Sequence, residues 1–181
     1  MYVLNDAGAI PFMLSEVKKY LKVDTDVDDV VLTNIIEAAT GWAEAYTGRD
    51  ARVNSWTLTI DEFEDRIELR KSPAESITSI KYLVNGGQVT IADTVYYLKK
   101  GTQFSEILLK EDQTWPTDLD EIEAGIEIIF VTEALRHLKR MKAGLLQHIA
   151  LLYANRGDCD ADTAKSSGAT LIYGQFRISR V

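Results

Sequence analysis

The sequence predicts an α+β fold: a helical bundle of N-terminal and C-terminal helices, an inserted, mostly antiparallel β-sheet, and an extended C-terminal tail. Apolar residues recur every three or four positions near both ends of the chain but alternate with polar ones in the middle. The pair Asn85-Gly86 lies between two strand-like runs and is typical of a tight hairpin, because both residues tolerate positive φ. We therefore expect a single domain over residues 1–181, made of N-terminal helices (14–48), a β insertion (53–132), a long helix (134–157) and a loop with a C-terminal tail (158–181).

Two helices are predicted before the sheet. The first covers about 14–21, and the second covers about 28–47 and ends at Gly48, which suits the left-handed position after a helix. Residues spaced by three or four positions predict the buried face of the second helix. These residues are Val31, Ile35, Ala39, Trp42 and Tyr46.

Four aspartates precede the second helix and have two interpretations. Asp24, Asp26 and Asp28 match the first three ligand positions of a calcium loop. The sixth position is Asp29 instead of glycine, and the twelfth is Ile35 instead of the bidentate glutamate. Aspartate side chains also accept hydrogen bonds from the first turn of a helix and suit its dipole. The sequence therefore favours a helix start over a calcium site.

The middle of the chain predicts several short strands. SWTLTID directs Trp56, Leu58 and Ile60 to one face, and RIELR repeats the alternation. Two strands flank Asn85-Gly86, TVYYLKKG and EILLKE indicate two more, and residues 125–132 resemble a more buried strand.

After the sheet, a helix over about 134–155 has one apolar stripe. The stripe consists of Leu138, Met141, Leu145, Ile149 and Leu152. The following CDADTAKSSGAT is small and polar, which predicts a mobile loop, and LIYGQFRISRV at the end is apolar and aromatic again.

Composition limits the classes of function. The chain has 181 residues, 46% of them hydrophobic and 27% charged, and contains neither a run of about 20 apolar residues nor a basic-then-apolar leader. A single cysteine, Cys159, cannot form an internal disulfide. We expect a soluble protein made without secretion, with no membrane partner.

The net charge of −8 argues against strong binding to DNA phosphates, which depends on basic side chains. One local cluster of basic residues shares a helix face, Arg136, Lys139 and Arg140. It is a candidate contact with DNA or with another subunit, although such a cluster is more often a solvated surface.

No catalytic, metal-binding or cofactor-binding pattern is present in the sequence. Phosphate loops, a nucleophile elbow and paired cysteines are absent. His137 and His148 share a helix face but lie roughly 16 Å apart along the axis, too far to hold one zinc ion. The three tryptophans, Trp42, Trp56 and Trp115, are expected to pack in the core. The sequence therefore offers no positive sign of an active site, although an enzyme could assemble one from residues without a motif, and no cofactor is expected.

The order of several short segments resembles one protein family. LSEVKKYLKV, an aspartate-rich turn, AEAYTGR, SWTLTID, SITSIKYL and LLYANRGD occur in the order found in head–tail connector (adaptor) proteins of tailed bacteriophages. The similarity is to the gp6-like family in its version with an inserted β-sheet, and it runs from about Leu14 to Arg156. The chain departs from the family pattern where VTEALRHLKRMK replaces a Gly-Tyr turn and a proline, and where LRKSPAES replaces a Leu-Pro segment.

The resemblance implies a structural protein that is not an enzyme, located in the virion neck at the head–tail interface and made in the host cytoplasm. Such proteins form a homo-oligomeric, twelve-fold ring under the portal protein and extend the DNA channel. They also provide the docking surface for the next neck or tail protein. Double-stranded DNA would pass through without sequence-specific binding, and an acidic channel wall would not retain its phosphates.

The C-terminal tail is the predicted portal interface, with anchors Phe176, Arg177 and Arg180, because aromatic residues and arginine dominate interface hot spots. The full predicted set is Leu171, Ile172, Tyr173, Phe176, Arg177, Ile178 and Arg180. On this hypothesis, deleting residues 170–181 abolishes docking and leaves the fold intact. In the alternative, the tail covers the core of its own subunit.

Two other functions stay open. One is a different neck component, a stopper or tail-completion protein, which would bind the adaptor instead of the portal. The other is a small cytosolic enzyme or ligand-binding module, for which the sequence offers no positive feature.

Overall fold

The computed structural model describes residues 1–71, 73–101, 104–133, 138–156 and 162–178. The fold is α+β, as predicted, and the chain divides into two compact units. The β unit consists of Met1–Gly8 and Arg52–Ala134, and the helical unit consists of Ala9–Ala51 and Leu135–Val181. The prediction of a single domain over 1–181 stays a prediction.

The β unit contains eight strands in two antiparallel sheets. In chain order they are β1 (Tyr2–Ala7), β2 (Asn54–Ile60), β3 (Arg66–Leu69), β4 (Ala74–Val84), β5 (Gly87–Thr90), β6 (Tyr96–Lys99), β7 (Ser105–Leu109) and β8 (Ile126–Thr132). The larger sheet has the order β1-β2-β8-β4-β5, and the smaller has the order β3-β7-β6. Residues of both sheets share one apolar core, which includes Leu58, Ile67, Ile107 and Phe130.

Two strand predictions are confirmed in detail. The strand predicted at 125–132 is β8, which lies at the centre of the larger sheet with Ile126, Ile128 and Phe130 fully buried. The Asn85-Gly86 turn joins β4 to β5, with φ of 49° and 73° at its two residues, as a tight antiparallel hairpin requires.

Strand β1 was not predicted. It pairs with β2 through the register Tyr2↔Leu58, Val3↔Thr57 and Leu4↔Trp56, and the register shifts at a bulge between Leu4 and Asp6. Five of its six residues are exposed. An edge strand of this kind lacks the alternation of a half-buried strand, so sequence periodicity gives no signal for it.

Among its described residues, the helical unit contains five helices: α1 (Leu14–Leu21), α2 (Asp29–Thr47), α3 (Leu138–Ala154), α4 (Thr163–Ser166) and α5 (Ala169–Gly174). The predicted positions of α1 and α2 are confirmed, and Gly48 ends α2 with φ of 71°. The predicted stripe on α3 is confirmed for Met141, Leu145 and Ile149, which are fully buried. Residues 134–137 of the predicted long helix lie outside the described residues.

The predicted buried face of α2 is wrong by about one residue. Val31 and Trp42 are exposed, whereas Leu32 and Ala43, one position later, are buried. The buried residues of α2 are Leu32, Ile36, Ala39, Thr40, Ala43 and Thr47. Burial of the two threonines is possible because their hydroxyls donate to backbone carbonyls four residues earlier, from Thr40 to Ile36 and from Thr47 to Ala43, both at 2.7 Å.

The predicted extended tail is also wrong for the described part of residues 158–181. Helices α4 and α5 occupy residues 163–174. The Asp162 side chain accepts a hydrogen bond from the Lys165 backbone N–H at 3.1 Å and caps α4. Cys159 lies outside the described residues.

Candidate functional site

The sequence predicts that residues 170–181 contact a partner. Residues 169–178, which include the described part of this range, are here called the C-terminal segment. The segment begins with α5, which packs against α3 at Gly144. A Cβ atom at position 144 would lie 3.1 Å from Tyr173 Cε1 and 3.2 Å from Ile172 Cβ. Glycine therefore permits the close approach of α5 to α3. A glycine inside the apolar stripe of α3 is the sequence signal that could have indicated this contact.

Tyr173 is the centre of an aromatic cluster in the helical unit. It is 0% exposed, and its ring lies 5.7 Å from that of Trp42, 6.2 Å from that of His148 and 6.4 Å from that of Tyr46. Burial raises the pKa of the Tyr173 hydroxyl well above its ordinary value. The segment is thus attached through a large aromatic side chain that stays neutral.

His148 belongs to the same cluster and is 2% exposed. Its Nε2 lies 3.3 Å from Thr163 Oγ1, and its Nδ1 lies 3.5 Å from the Tyr173 hydroxyl. Burial lowers the His148 pKa, and the nearby Asp162 carboxylate opposes this shift. The sequence placed His148 at an exposed or partly packed position, and the structure buries it. His137 lies outside the described residues.

The end of the segment is attached to the C-terminal end of α2. The Ile178 N–H donates to the Thr47 carbonyl at 2.9 Å, and Arg49 Nε donates to the Phe176 carbonyl at 2.8 Å. The Arg177 guanidinium lies 5.2 Å from the centroid of the Tyr46 ring. These contacts give the segment a defined position on its own subunit.

The predicted portal residues fall into two groups. Tyr173, Phe176 and Ile178 are buried in their own subunit, and Ile172 is half-buried. Leu171 and Arg177 are exposed, Leu171 by 78%. Arg180 lies outside the described residues. For the buried side chains the structure agrees with the alternative in which the tail covers its own core, and the portal contact stays a prediction.

The predicted basic cluster is only partly described. Lys139 and Arg140 are exposed at the start of α3, and Arg136 lies outside the described residues. Arg140 Nη2 donates to the Gln175 side chain, so this guanidinium also holds the C-terminal segment. A role for these residues in contact with DNA or another subunit stays a prediction.

The aspartate-rich turn forms specific contacts, but not the predicted helix caps. Lys18 Nζ lies 2.6 Å from Asp26 Oδ1 and 2.7 Å from Asp29 Oδ1, which connects α1 to the start of α2. Asp28 accepts a hydrogen bond from the Tyr153 hydroxyl and lies 3.1 Å from Arg156 Nη1. These two partners lower the Asp28 pKa. The aspartates bind side chains of α1 and the end of α3 instead of the first-turn amides of α2.

Carboxylates of the β unit also hold loops in place. The two Asp120 oxygens accept from the Asn85 and Gly86 N–H groups at 2.9 and 2.8 Å, and Asp61 Oδ1 accepts from the Ala124 N–H at 2.7 Å. Among the described residues, no group of three His, Cys, Asp or Glu side chains has the arrangement of a metal site. No helix among the residues that the structure describes is long and apolar enough to cross a bilayer.

The chain was compared with protein families and with curated proteins. The model of the phage gp6-like head-tail connector protein family matches residues 12–84, which include α1, α2 and the strands β2, β3 and β4. The predicted family resemblance is confirmed. No curated protein gave a significant match.

Solved structures extend the similarity to the whole fold. A chain in the neck of an empty gene transfer agent (GTA) particle, computed with C6 symmetry, has a TM-score of 0.77 at 20% identity. A chain in the neck of a native GTA particle, computed with C12 symmetry, has a TM-score of 0.76 at 19% identity, and one in a native GTA virion has 0.74 at 20%. Each match covers 99% of this chain and 97% of the other.

Proposed function

We propose that this protein is a structural component of the head–tail neck of a tailed phage or phage-like particle. The observation that carries the proposal is the similarity of fold over 99% of the chain to chains from particle necks. The family match over α1 and α2 supports the same class of protein. In this function the protein supplies surfaces for assembly instead of a reaction centre.

Within the neck, the proposed position is that of the adaptor, which forms a ring of identical subunits under the portal. The proposed ring has twelve subunits. A ring of one kind of subunit uses heterologous contacts, in which two different surfaces of the subunit meet. The C6 and C12 symmetries of the similar necks support a ring. The ring would extend the DNA channel and bind the next neck or tail protein on its far side.

The proposed portal contact uses the C-terminal segment. Among the described residues of the predicted portal set, Leu171 and Arg177 are exposed and available for direct contact. The buried Tyr173 and Phe176 would instead position the segment on its own subunit. This assignment revises the predicted anchor role of Phe176, because a side chain that is 8% exposed offers little surface to a partner.

The proposal is tested by electron microscopy of the purified protein mixed with portal rings from the same particle. We expect added density on one end of the portal, with the symmetry of the portal ring. A Leu171→Asp variant changes a side chain that is 78% exposed, so it should fold normally and bind portal at least tenfold more weakly. Bare portal rings beside free wild-type protein would contradict the adaptor function and favour a neck component that binds elsewhere.

A further inference from the structure

Two exposed arginines at the C-terminal segment have no carboxylate beside them. Arg140 Nη2 donates to the Gln175 side chain, and the Arg177 guanidinium lies over the Tyr46 ring. Among the described residues, no Asp or Glu side chain lies within ion-pair distance of either guanidinium. A guanidinium in a protein normally pairs with a carboxylate or a phosphate, because its planar N–H groups match two oxygens.

Three arginines elsewhere in the chain show this usual pairing. The guanidinium groups of Arg66, Arg70 and Arg156 lie 3.0, 3.1 and 3.1 Å from a carboxylate oxygen. Carboxylates are in excess in this chain, with 28 Asp and Glu residues against 20 Lys and Arg residues. The lack of a carboxylate at both Arg140 and Arg177 is therefore a property of this surface and not of the composition.

Both guanidinium groups are held in place before a partner binds. The hydrogen bond to Gln175 holds Arg140. The Tyr46 ring holds Arg177 at 5.2 Å from its centroid, and this ring stacks on Trp42 with centroids 5.0 Å apart. A guanidinium over a ring still has N–H groups at its edge to donate to oxygens. Because the side chains are already positioned, their binding to an anion costs little additional entropy.

The other side chains of this surface favour a protein over DNA as the source of the anion. Leu171 is 78% exposed, and its carbonyl oxygen lies 3.5 Å from Gln175 Nε2. An exposed leucine offers nothing to phosphates, whereas aromatic residues and arginine together are typical of protein interfaces. The helical unit has 12 Lys and Arg residues against 11 Asp and Glu residues. Strong binding to DNA phosphates requires a basic surface, which this balance does not provide.

We propose that the C-terminal segment binds an acidic segment of the portal protein, and that Arg140 and Arg177 pair with its carboxylates. The inference rests on the proposed portal contact and names the chemistry of the surface that the portal presents. Most of the negative charge of this chain belongs to the β unit, which has 17 Asp and Glu residues against 8 Lys and Arg residues. The helical unit is nearly neutral, so it does not repel an acidic partner.

Removal of the two charges tests the inference. The Arg140→Gln, Arg177→Gln double variant is compared with the Arg66→Gln, Arg70→Gln double variant, which loses the same charge from exposed arginines of the β unit. Binding to portal rings is measured by biolayer interferometry at low and at high salt. We expect the first variant to bind at least about tenfold more weakly than wild type at low salt, and the control to bind like wild type. High salt should weaken wild-type binding and reduce this difference, since salt screens exposed charges.

Charge-preserving variants keep the test decisive if neutralisation loosens the C-terminal segment. Arg140→Lys and Arg177→Lys retain the cation and introduce an amine, which a carbodiimide couples to a carboxylate in contact with it. We expect amide links between the introduced amines and Asp or Glu residues of the portal, located by mass spectrometry of the peptides. Links only to another copy of this chain, or no links at these two positions, would overturn the inference.

Other outcomes separate the inference from the proposed function. Equal portal binding by wild type and by the Arg140→Gln, Arg177→Gln variant would overturn the inference and leave the neck function standing. The inference would also fail if that variant lost affinity for a labelled DNA duplex and kept its affinity for portal rings, because the arginines would then bind phosphates. Wild-type protein that binds no portal ring at any salt concentration would overturn the proposed portal contact, and the inference with it.

Discussion

Gly144 shows how one missing side chain determines the position of a segment. The Tyr173 ring and the Ile172 side chain occupy the space that a Cβ at position 144 would need. Tyr173 is fully buried among Trp42 and His148, so it cannot move aside without disturbing the aromatic cluster. The glycine is therefore required by packing, although glycine weakens a helix.

Gly144→Ala is expected to lower the free energy of unfolding by about 1–3 kcal/mol, the usual cost of overpacking a core. Gly41→Ala is the matched control: it also lies within a helix, and no atom lies within 4 Å of the Cβ it would add. That variant should be neutral or more stable by up to about 1 kcal/mol. Urea denaturation of both variants measures the difference. Equal stabilities would show that α5 does not pack on α3 as described.

His148 is expected to make the stability of the helical unit depend on pH. Burial lowers its pKa in the folded state, so the unfolded chain binds the proton more readily. This contribution is complete above the ordinary histidine pKa of about 6.5 and decreases as the pH falls below it. The Asp162 carboxylate is the nearby charge that opposes the effect.

The check is the urea midpoint at pH 7.5 and pH 5.5 in wild type and in His148→Gln. The wild-type midpoint should fall more between the two pH values than that of the variant, which has no imidazole to protonate. A matching fall in both proteins would assign the pH dependence to other groups.

At the scale of elements, the C-terminal segment is part of the helical core. Tyr173 and Phe176 belong to the same buried cluster as Leu32, Ile36 and Leu145. Their removal would expose the apolar surfaces of α2 and α3 that they cover. The deletion of residues 170–181 therefore cannot leave the fold intact, in contrast to the prediction from sequence.

We expect the 170–181 deletion to destabilise the helical unit by at least about 3 kcal/mol, since removal of one large buried aromatic side chain alone costs about that much. Hydrogen exchange should become faster in α2 and α3. The Leu171→Asp variant is the control, because this side chain is 78% exposed. Unchanged protection of α3 in the deletion variant would contradict the packing described for Tyr173.

The elements also show what the sequence could predict. Helices α1, α2 and α3 and the β4–β5 hairpin follow from local periodicity and turn residues, and the structure confirms them. The inner face of α2 does not follow, because the helix buries Thr40, Ala43 and Thr47 and leaves Val30 exposed. Which side of α2 is buried depends on close packing and on threonine hydroxyls that donate to carbonyls of their own helix, and hydrophobicity alone does not reveal either. Helix α5 was likewise missed, since its six residues are too short for a helical period.

At the scale of the molecule, each unit has its own apolar core. Ile128 and Phe130 lie in the core of the β unit, and Ile36 and Leu145 lie in that of the helical unit. Side chains that lie in separate cores stabilise separate parts of the structure against local unfolding. The two units should therefore respond separately to the loss of a core side chain.

Ile128→Ala is expected to cost about 2–5 kcal/mol and to speed hydrogen exchange in β2, β4 and β8, while α2 and α3 keep their protection. Ile36→Ala, also at a fully buried isoleucine, should give the reverse pattern. Exchange followed by mass spectrometry resolves the two sets of peptides. Faster exchange in both units from either variant would support the predicted single domain.

The division of each unit into two chain segments has a consequence for biosynthesis. Helix α2 leaves the ribosome long before α3 and the C-terminal segment that cover it, because the strands β2 to β8 come between them. At about 5–20 residues per second, the roughly 90 residues between Ala51 and Met141 take about 5–18 s to synthesise. During that interval the side of α2 that is buried in the folded protein is exposed. The nascent chain therefore presents Leu32 and Ile36 to chaperones until α3 and the C-terminal segment are made.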